Sequence, residues 1–182
     1  MADTTTPEAR VEPALYVGTY AKYNNGSIAG KWLHLRDHPD AEAFVRACGE
    51  LHADEADPEL MFQDFEGFPK DLYGEAMSLT DLRKLYDWVH LSEADRELCT
   101  AYLDATGYPS SGVDVADVPD KLFCVLDRSA GQDENTAMGQ HVLDDGLVDA
   151  PEHLVGYVNT EALGRDWLMD LVVSSNGYVF QV

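Results

Sequence analysis

Leu15-Tyr16-Val17-Gly18-Thr19-Tyr20, then Asn24-Asn25-Gly26-Ser27, then Lys31-Trp32-Leu33-His34-Leu35 read as strand, turn and strand. The flanking runs are rich in β-branched and aromatic residues, and the Asn-Gly centre supplies the turn. Working outward, Asp40 is placed to cap a helix running to about His52, with Phe44, Val45, Cys48 and Leu51 on one face. Leu60 to Phe65 then reads as a third strand. The first part of the chain is therefore a small β-β-α-β lobe ending near Glu66.

Past Gly67 and Pro69 the pattern turns helical. Leu72–Met77 reads as a short helix. Thr80 is placed to cap a second one through His90, burying Leu82, Leu85, Tyr86 and Val89. Ser92 followed by Asp95 is an acidic capping box for a third, which Gly107 and Pro109 stop. Ser110-Ser111-Gly112 marks a loop or linker. Lys121–Leu126 reads as a strand, Glu134–Asp145 as a helix, and Asn159 or Thr160 as the cap of a helix carrying Leu163, Trp167 and Leu168. Leu171–Val173 and Tyr178–Phe180 close the chain as strands around the turn Ser174-Ser175-Asn176-Gly177. The expected fold class is α+β, with three small lobes in a line making an elongated molecule. The segments are a flexible tail (1–14), an α+β domain (15–66), a helical domain (67–108) and a C-terminal α+β domain (109–182) that is the expected site of dimerisation.

The 182 residues carry 34 Asp and Glu against 12 Lys and Arg, a formal net charge of −22. With 45% apolar and 10% aromatic residues, the chain has too much core-forming material for an acidic disordered tail. Such charge repels phosphate backbones and anionic lipid, so neither nucleic acid nor a membrane is expected as a ligand. No apolar run approaches the ~20 residues that span a bilayer. The N-terminus has neither the basic region nor the apolar core of a signal peptide. Cys48, Cys99 and Cys124 are odd in number and far apart, which fits reduced thiols and a cytoplasmic location.

The charge is unevenly placed: residues 1–49 are net −1, residues 50–112 net −11 and residues 113–182 net −10. Acids come singly or in pairs every three to five residues among apolar positions. That spacing fixes them on the solvent faces of folded elements rather than in a tail. Halophilic adaptation also gives an acidic surface, but it does not explain the neutral first quarter.

Motifs for catalysis or cofactors are missing. Gly26–Trp32 lacks the spacing of a phosphate-binding loop, and Trp32 stands where its Ser or Thr belongs. His34 and His38 cannot share a helix face across Pro39, and no other His or Cys spacing suits zinc. No catalytic residue, metal site or cofactor is expected. Double-stranded DNA carries one charge per ~1.7 Å, so 22 charges match roughly 37 Å of duplex, about 11 base pairs. The carboxylates best placed to stand in for phosphates are Asp64, Glu66, Asp71, Glu75, Asp81, Asp87, Glu93, Asp95, Glu97, Asp104, Asp114, Asp117 and Asp120. The charge alone equally suits an acidic adaptor or inhibitor for another basic protein, and a carboxylate-based hydrolase ranks third.

Several segments carry a family likeness. Leu15–Leu33, Phe62-Gln63-Asp64-Phe65-Glu66-Gly67 with Leu72-Tyr73-Gly74-Glu75, Gly164–Asp170 and Asn176–Phe180 closely resemble the corresponding parts of ArdA-type antirestriction proteins. The resemblance spans residues 15–182. It implies an elongated three-domain homodimer, joined through its C-terminal domain, that mimics bent B-form DNA. It further implies that the partner is a type I restriction–modification enzyme, whose methyltransferase core the mimic occupies. Restriction of incoming DNA, and with it modification, is then blocked. Such proteins are carried on plasmids and transposons.

Overall fold

The computed structural model describes residues 11–107, 112–127 and 131–182. It is an α+β protein whose backbone divides into two compact units, the first ending at Leu91 and the second beginning at Ser92. Each holds one three-stranded antiparallel sheet.

In the first unit β1 (Ala14–Thr19) lies between β2 (Lys31–His34) and β3 (Leu60–Glu66), in the order β2-β1-β3. The predicted hairpin is present, with Leu15 opposite Leu33 and Tyr16 opposite Trp32. Its connection holds one element that the turn residues conceal, the short helix α1 (Tyr20–Asn24), opened by Thr19, whose hydroxyl accepts from Lys22 N–H. Asp40 caps α2 (Ala41–Leu51) by accepting from Ala43 N–H at 2.7 Å. α2 lays Phe44 and Cys48 onto the sheet, where Phe44 stacks on Phe62 with ring centroids 6.4 Å apart. α3 (Leu79–His90) closes the core with Leu82, Leu85 and Tyr86, and the Tyr86 hydroxyl donates to the Leu35 carbonyl at 2.8 Å. Phe44 is fully buried among His38, Phe62 and Tyr86. Phe44→Ala is therefore expected to cost about 3–5 kcal/mol, read as a lower midpoint in urea denaturation.

Two local expectations change. Residues 72–77 do not form a helix. Only Lys70–Leu72 makes a single turn, and the chain then runs along the outer edge of β3, where the Glu75 carbonyl accepts from Phe62 N–H. An edge strand with open donors outbids one more turn of helix around Gly74. The cap of α3 is Ser78 rather than Thr80, because Ser78 and Asp81 satisfy each other's backbone N–H groups as a reciprocal capping box. Of the tail expected over 1–14, residues 1–10 lie outside the described residues. Pro13 is held by Leu35 N–H donating to its carbonyl, and Ala14 already belongs to β1.

In the second unit α4 (Glu93–Thr106) starts at Ser92, as the spacing to Asp95 predicts, and stops at Gly107 with φ +59°. β4 (Leu122–Val125), β5 (Leu171–Val173) and β6 (Tyr178–Gln181) form the sheet β4-β6-β5. α5 (Glu134–Asp144) and α6 (Thr160–Trp167) pack together around Met138, Val142 and Leu163. They cross through two glycines: a Cβ on Gly139 would meet the Thr160 carbonyl oxygen at 1.9 Å, and one on Gly164 the Asn135 carbonyl oxygen at 1.8 Å. Of the helices between 67 and 107, α3 lies in the first unit and α4 in the second. Between them Leu91 leaves the helix at φ −59°, ψ 153°; α3 packs on α2 and the turns of the first unit, and α4 on β5 and β6. Pro109, Ser110 and Ser111 lie outside the described residues.

Candidate functional site

Each of the thirteen carboxylates singled out by spacing is on a surface. Ten are exposed, while Glu66, Asp81 and Asp95 are partly covered. On α3 the inward stripe Leu82, Leu85, Tyr86 and Val89 leaves Asp87 facing water. On α4 Cys99, Tyr102 and Leu103 turn inward, and Glu93, Glu97 and Asp104 share the opposite face at i, i+4 and i+11. The helical rise from Glu93 to Asp104 is about 16 Å. A bulge in β3 between Phe62 and Asp64 shifts its register and leaves Asp64 exposed beside half-buried Phe65 and Glu66. Asp71 sits in the turn after β3, Glu75 in the loop beyond it, and Asp114, Asp117 and Asp120 in or beside the short turns before β4.

Their local roles differ. Asp81 and Asp95 complete the N-terminal caps of α3 and α4, each accepting its cap serine's hydroxyl at 2.7 Å, and Asp114 accepts from Ala116 N–H. Asp64 accepts from Phe65 N–H, Glu75 from the Tyr20 hydroxyl, and Glu97 from the Tyr178 hydroxyl. Both tyrosines are held above the ordinary phenol range, Tyr178 chiefly by that bond to Glu97 and Tyr20 chiefly by burial. Among the described residues the side chains of Glu66, Asp71, Asp87, Asp104, Asp117 and Asp120 make no hydrogen bond or ion pair.

Several of the few cations are engaged with other acids. Arg83 pairs with Glu42, Arg36 with Glu12 and Arg165 with Asp166. Lys22 reaches Asp54 at 2.9 Å and Glu55 at 3.4 Å. Hydrogen bonding to the Lys22 ammonium holds the Asp54 carboxyl below the usual carboxylate range. Among the described residues, His52, Asp54 and Glu55 are the one group spaced to ligate a metal. Lys22 Nζ, 2.9 Å from His52 Nδ1, takes the central position itself. Because the buried His52 faces the Val17 carbonyl through Nε2, that nitrogen carries the proton and Nδ1 accepts from the lysine. The cluster is a structural clasp between α1 and the end of α2. Spacing in the sequence does not reveal it, since Lys22 lies 30 or more residues from the other members.

Cys48, Cys99 and Cys124 are free. Burial pushes the Cys48 and Cys99 thiols up to about 12, far from nucleophilic character. No helix among the described residues is long and apolar enough to cross a membrane.

Against this acidic α+β surface, the family model of the antirestriction protein (ArdA) matches residues 15–180. The chain belongs to the ArdA antirestriction family. No curated protein matches it. In this ArdA chain the matched span begins in β1 and ends in β6, so it takes in both sheets and all thirteen carboxylates. Further exposed acids of the same ArdA surface follow the last of them, among them Asp133, Asp144, Asp149, Glu152 and Asp170. Their spacing resembles that of the thirteen and would have brought them into the same set.

Proposed function

We propose that this ArdA family member acts by binding, without turnover, as a mimic of B-form DNA. Its carboxylates stand in for phosphates in the DNA groove of a type I restriction–modification enzyme, blocking restriction and with it modification. The observation that carries this reading is the state of the acids: held on folded elements, outward, six of them without a partner among the described residues, with Lys22, Arg36, Arg83 and Arg165 committed elsewhere. A basic groove meeting such a surface gains by complementarity and by faster encounter. The reading includes a homodimer joined through the C-terminal part, a three-part organisation of the chain, and action in the cytoplasm, where restriction enzymes meet incoming DNA.

The test is competition. Purified protein is expected to displace a labelled duplex from the methyltransferase core of a type I enzyme, with affinity falling steadily as salt is raised. Screening shortens the reach of each charge from ~10 Å at 0.1 M salt to ~3 Å at 1 M. Failure to displace DNA from a panel of type I enzymes, alongside tight binding to another basic protein, would replace this reading with that of an acidic adaptor.

A further inference from the structure

The second unit carries a pocket of about 410 Å³, lined by Tyr102, Val113, Asp114, Asp117, Lys121 and Val182 among others. Tyr102 is 3% exposed and its ring is fixed edge-on against Phe180, with centroids 5.3 Å apart at 84°. The ring already receives a cation, because Lys121 Nζ lies 5.8 Å from its centroid. Asp114 gives one carboxylate oxygen to Ala116 N–H and keeps the other. Asp117 makes no side-chain bond among the described residues, and neither aspartate forms an ion pair with Lys121 there.

An aromatic face, two carboxylates with spare acceptors and a cavity with room for a long side chain together describe a receptor for a planar cation. The face of the ring attracts positive charge. A guanidinium lies flat on it while its in-plane N–H groups reach outward to carboxylates. An ammonium does one or the other, and the protein's own lysine sits over the ring without reaching the acids.

We infer that this pocket captures the guanidinium of an arginine from the partner protein, stacked on Tyr102 and hydrogen-bonded to Asp114 and Asp117, with Lys121 displaced from the ring. The inference rests on the proposed function in that it names the side chain which the basic partner supplies. It differs in kind from the rest of the acidic surface, where charges act diffusely.

The experiment titrates the full chain with N-acetyl-arginine amide, followed by two-dimensional NMR. Saturable shifts are expected at Val113, Asp117 and the Tyr102 ring, with weaker shifts from the lysine analogue and none from the uncharged, isosteric citrulline analogue. Asp114→Asn with Asp117→Asn is expected to weaken binding at least about tenfold; asparagine keeps the cap that Asp114 supplies. Lys121→Met is expected to tighten it, whereas Lys31→Met, the same change of charge in the first unit, leaves it unchanged. Absence of saturable shifts at these residues, or equal binding of the citrulline analogue, overturns the inference. No restriction enzyme is present, so the two readings fail separately. A protein that binds the probe but never displaces DNA overturns the mimicry, and one that displaces DNA but ignores the probe overturns the pocket.

Discussion

Neutralising Glu66, Asp71, Glu75, Asp87, Glu93, Asp104, Asp117 and Asp120 together, as Asn or Gln, is expected to abolish competition with DNA, while any one of these changes alone leaves it nearly intact. Exposed charge contacts are worth ~0.2–1 kcal/mol each. One loss therefore weakens binding by about fivefold at most, whereas eight remove roughly 2–8 kcal/mol, from more than tenfold to about a millionfold. The choice of positions matters. Asp81, Asp95 and Asp114 are left in place because Asp81 and Asp114 accept from backbone N–H groups at the start of a helix or turn, and Asp95 accepts the hydroxyl of Ser92, the cap of α4. Removing such a cap costs about 1 kcal/mol of stability and would confuse unfolding with lost recognition. The measurement is displacement of labelled duplex at several salt concentrations, with circular dichroism as the check on folding. The eightfold variant should also show a shallower salt dependence. Complete loss from Asp87→Asn alone, in a folded protein, would point to a local hot spot and end the distributed model.

The largest effect on stability is expected from the crossing of α5 and α6. Gly164→Ala places a methyl group 1.8 Å from the Asn135 carbonyl oxygen and 2.5 Å from Gly139 N, both backbone atoms. Neither can swing aside as a side chain would, so the two helices must separate. Overpacking of ordinary cores costs ~1–3 kcal/mol, and a clash between two helix backbones belongs at or beyond the top of that range. The gain of about 1 kcal/mol in helix propensity from Gly to Ala does not offset it. Gly139→Ala meets the Thr160 carbonyl in the same way. The expected result is a thermal midpoint lowered by ten degrees or more, with amide protection lost first in α5 and α6. Gly49→Ala on α2 is the control of opposite sign, since nothing lies within 4 Å of its Cβ position. It should raise stability by about 0.5–1 kcal/mol.

That crossing was not legible from residue order. Gly139 and Gly164 sit inside amphipathic helical patterns, where a glycine reads only as a weak helix former, and their reason for being there is a neighbour more than 20 residues away. What could be read was local. Asp40, Ser92 with Asp95, Asn159 and Gly107 act within four residues of themselves, and all four mark helix ends as their chemistry predicts. The strands of both sheets were legible for the same reason, through runs of β-branched and aromatic residues. Residues 72–77 misled because their conformation is decided by the open edge of β3 rather than by their own pattern. The acidic surface divides in the same way. Exposure of Asp87 or Asp104 follows from helical period alone, but the bond from Tyr178 to Glu97 spans 81 residues and has no local signal. The Lys22 clasp and the pocket under Lys121 are likewise products of tertiary structure.

The double service of the capping acids sets which parts of the surface are free to change. Asp81 and Asp114 each hold a backbone N–H at a helix or turn start, and Asp95 holds the cap serine of α4, so altering one of them also loosens the fold. Asp71, Asp87, Asp104, Asp117 and Asp120 carry no such duty among the described residues. A lineage confronting a new restriction enzyme therefore has two kinds of acid to draw on. One set can be traded position by position with little penalty, and the other keeps the scaffold while the pattern around it drifts. Adaptation to new targets should accumulate in the first set and leave the second behind as a fixed frame.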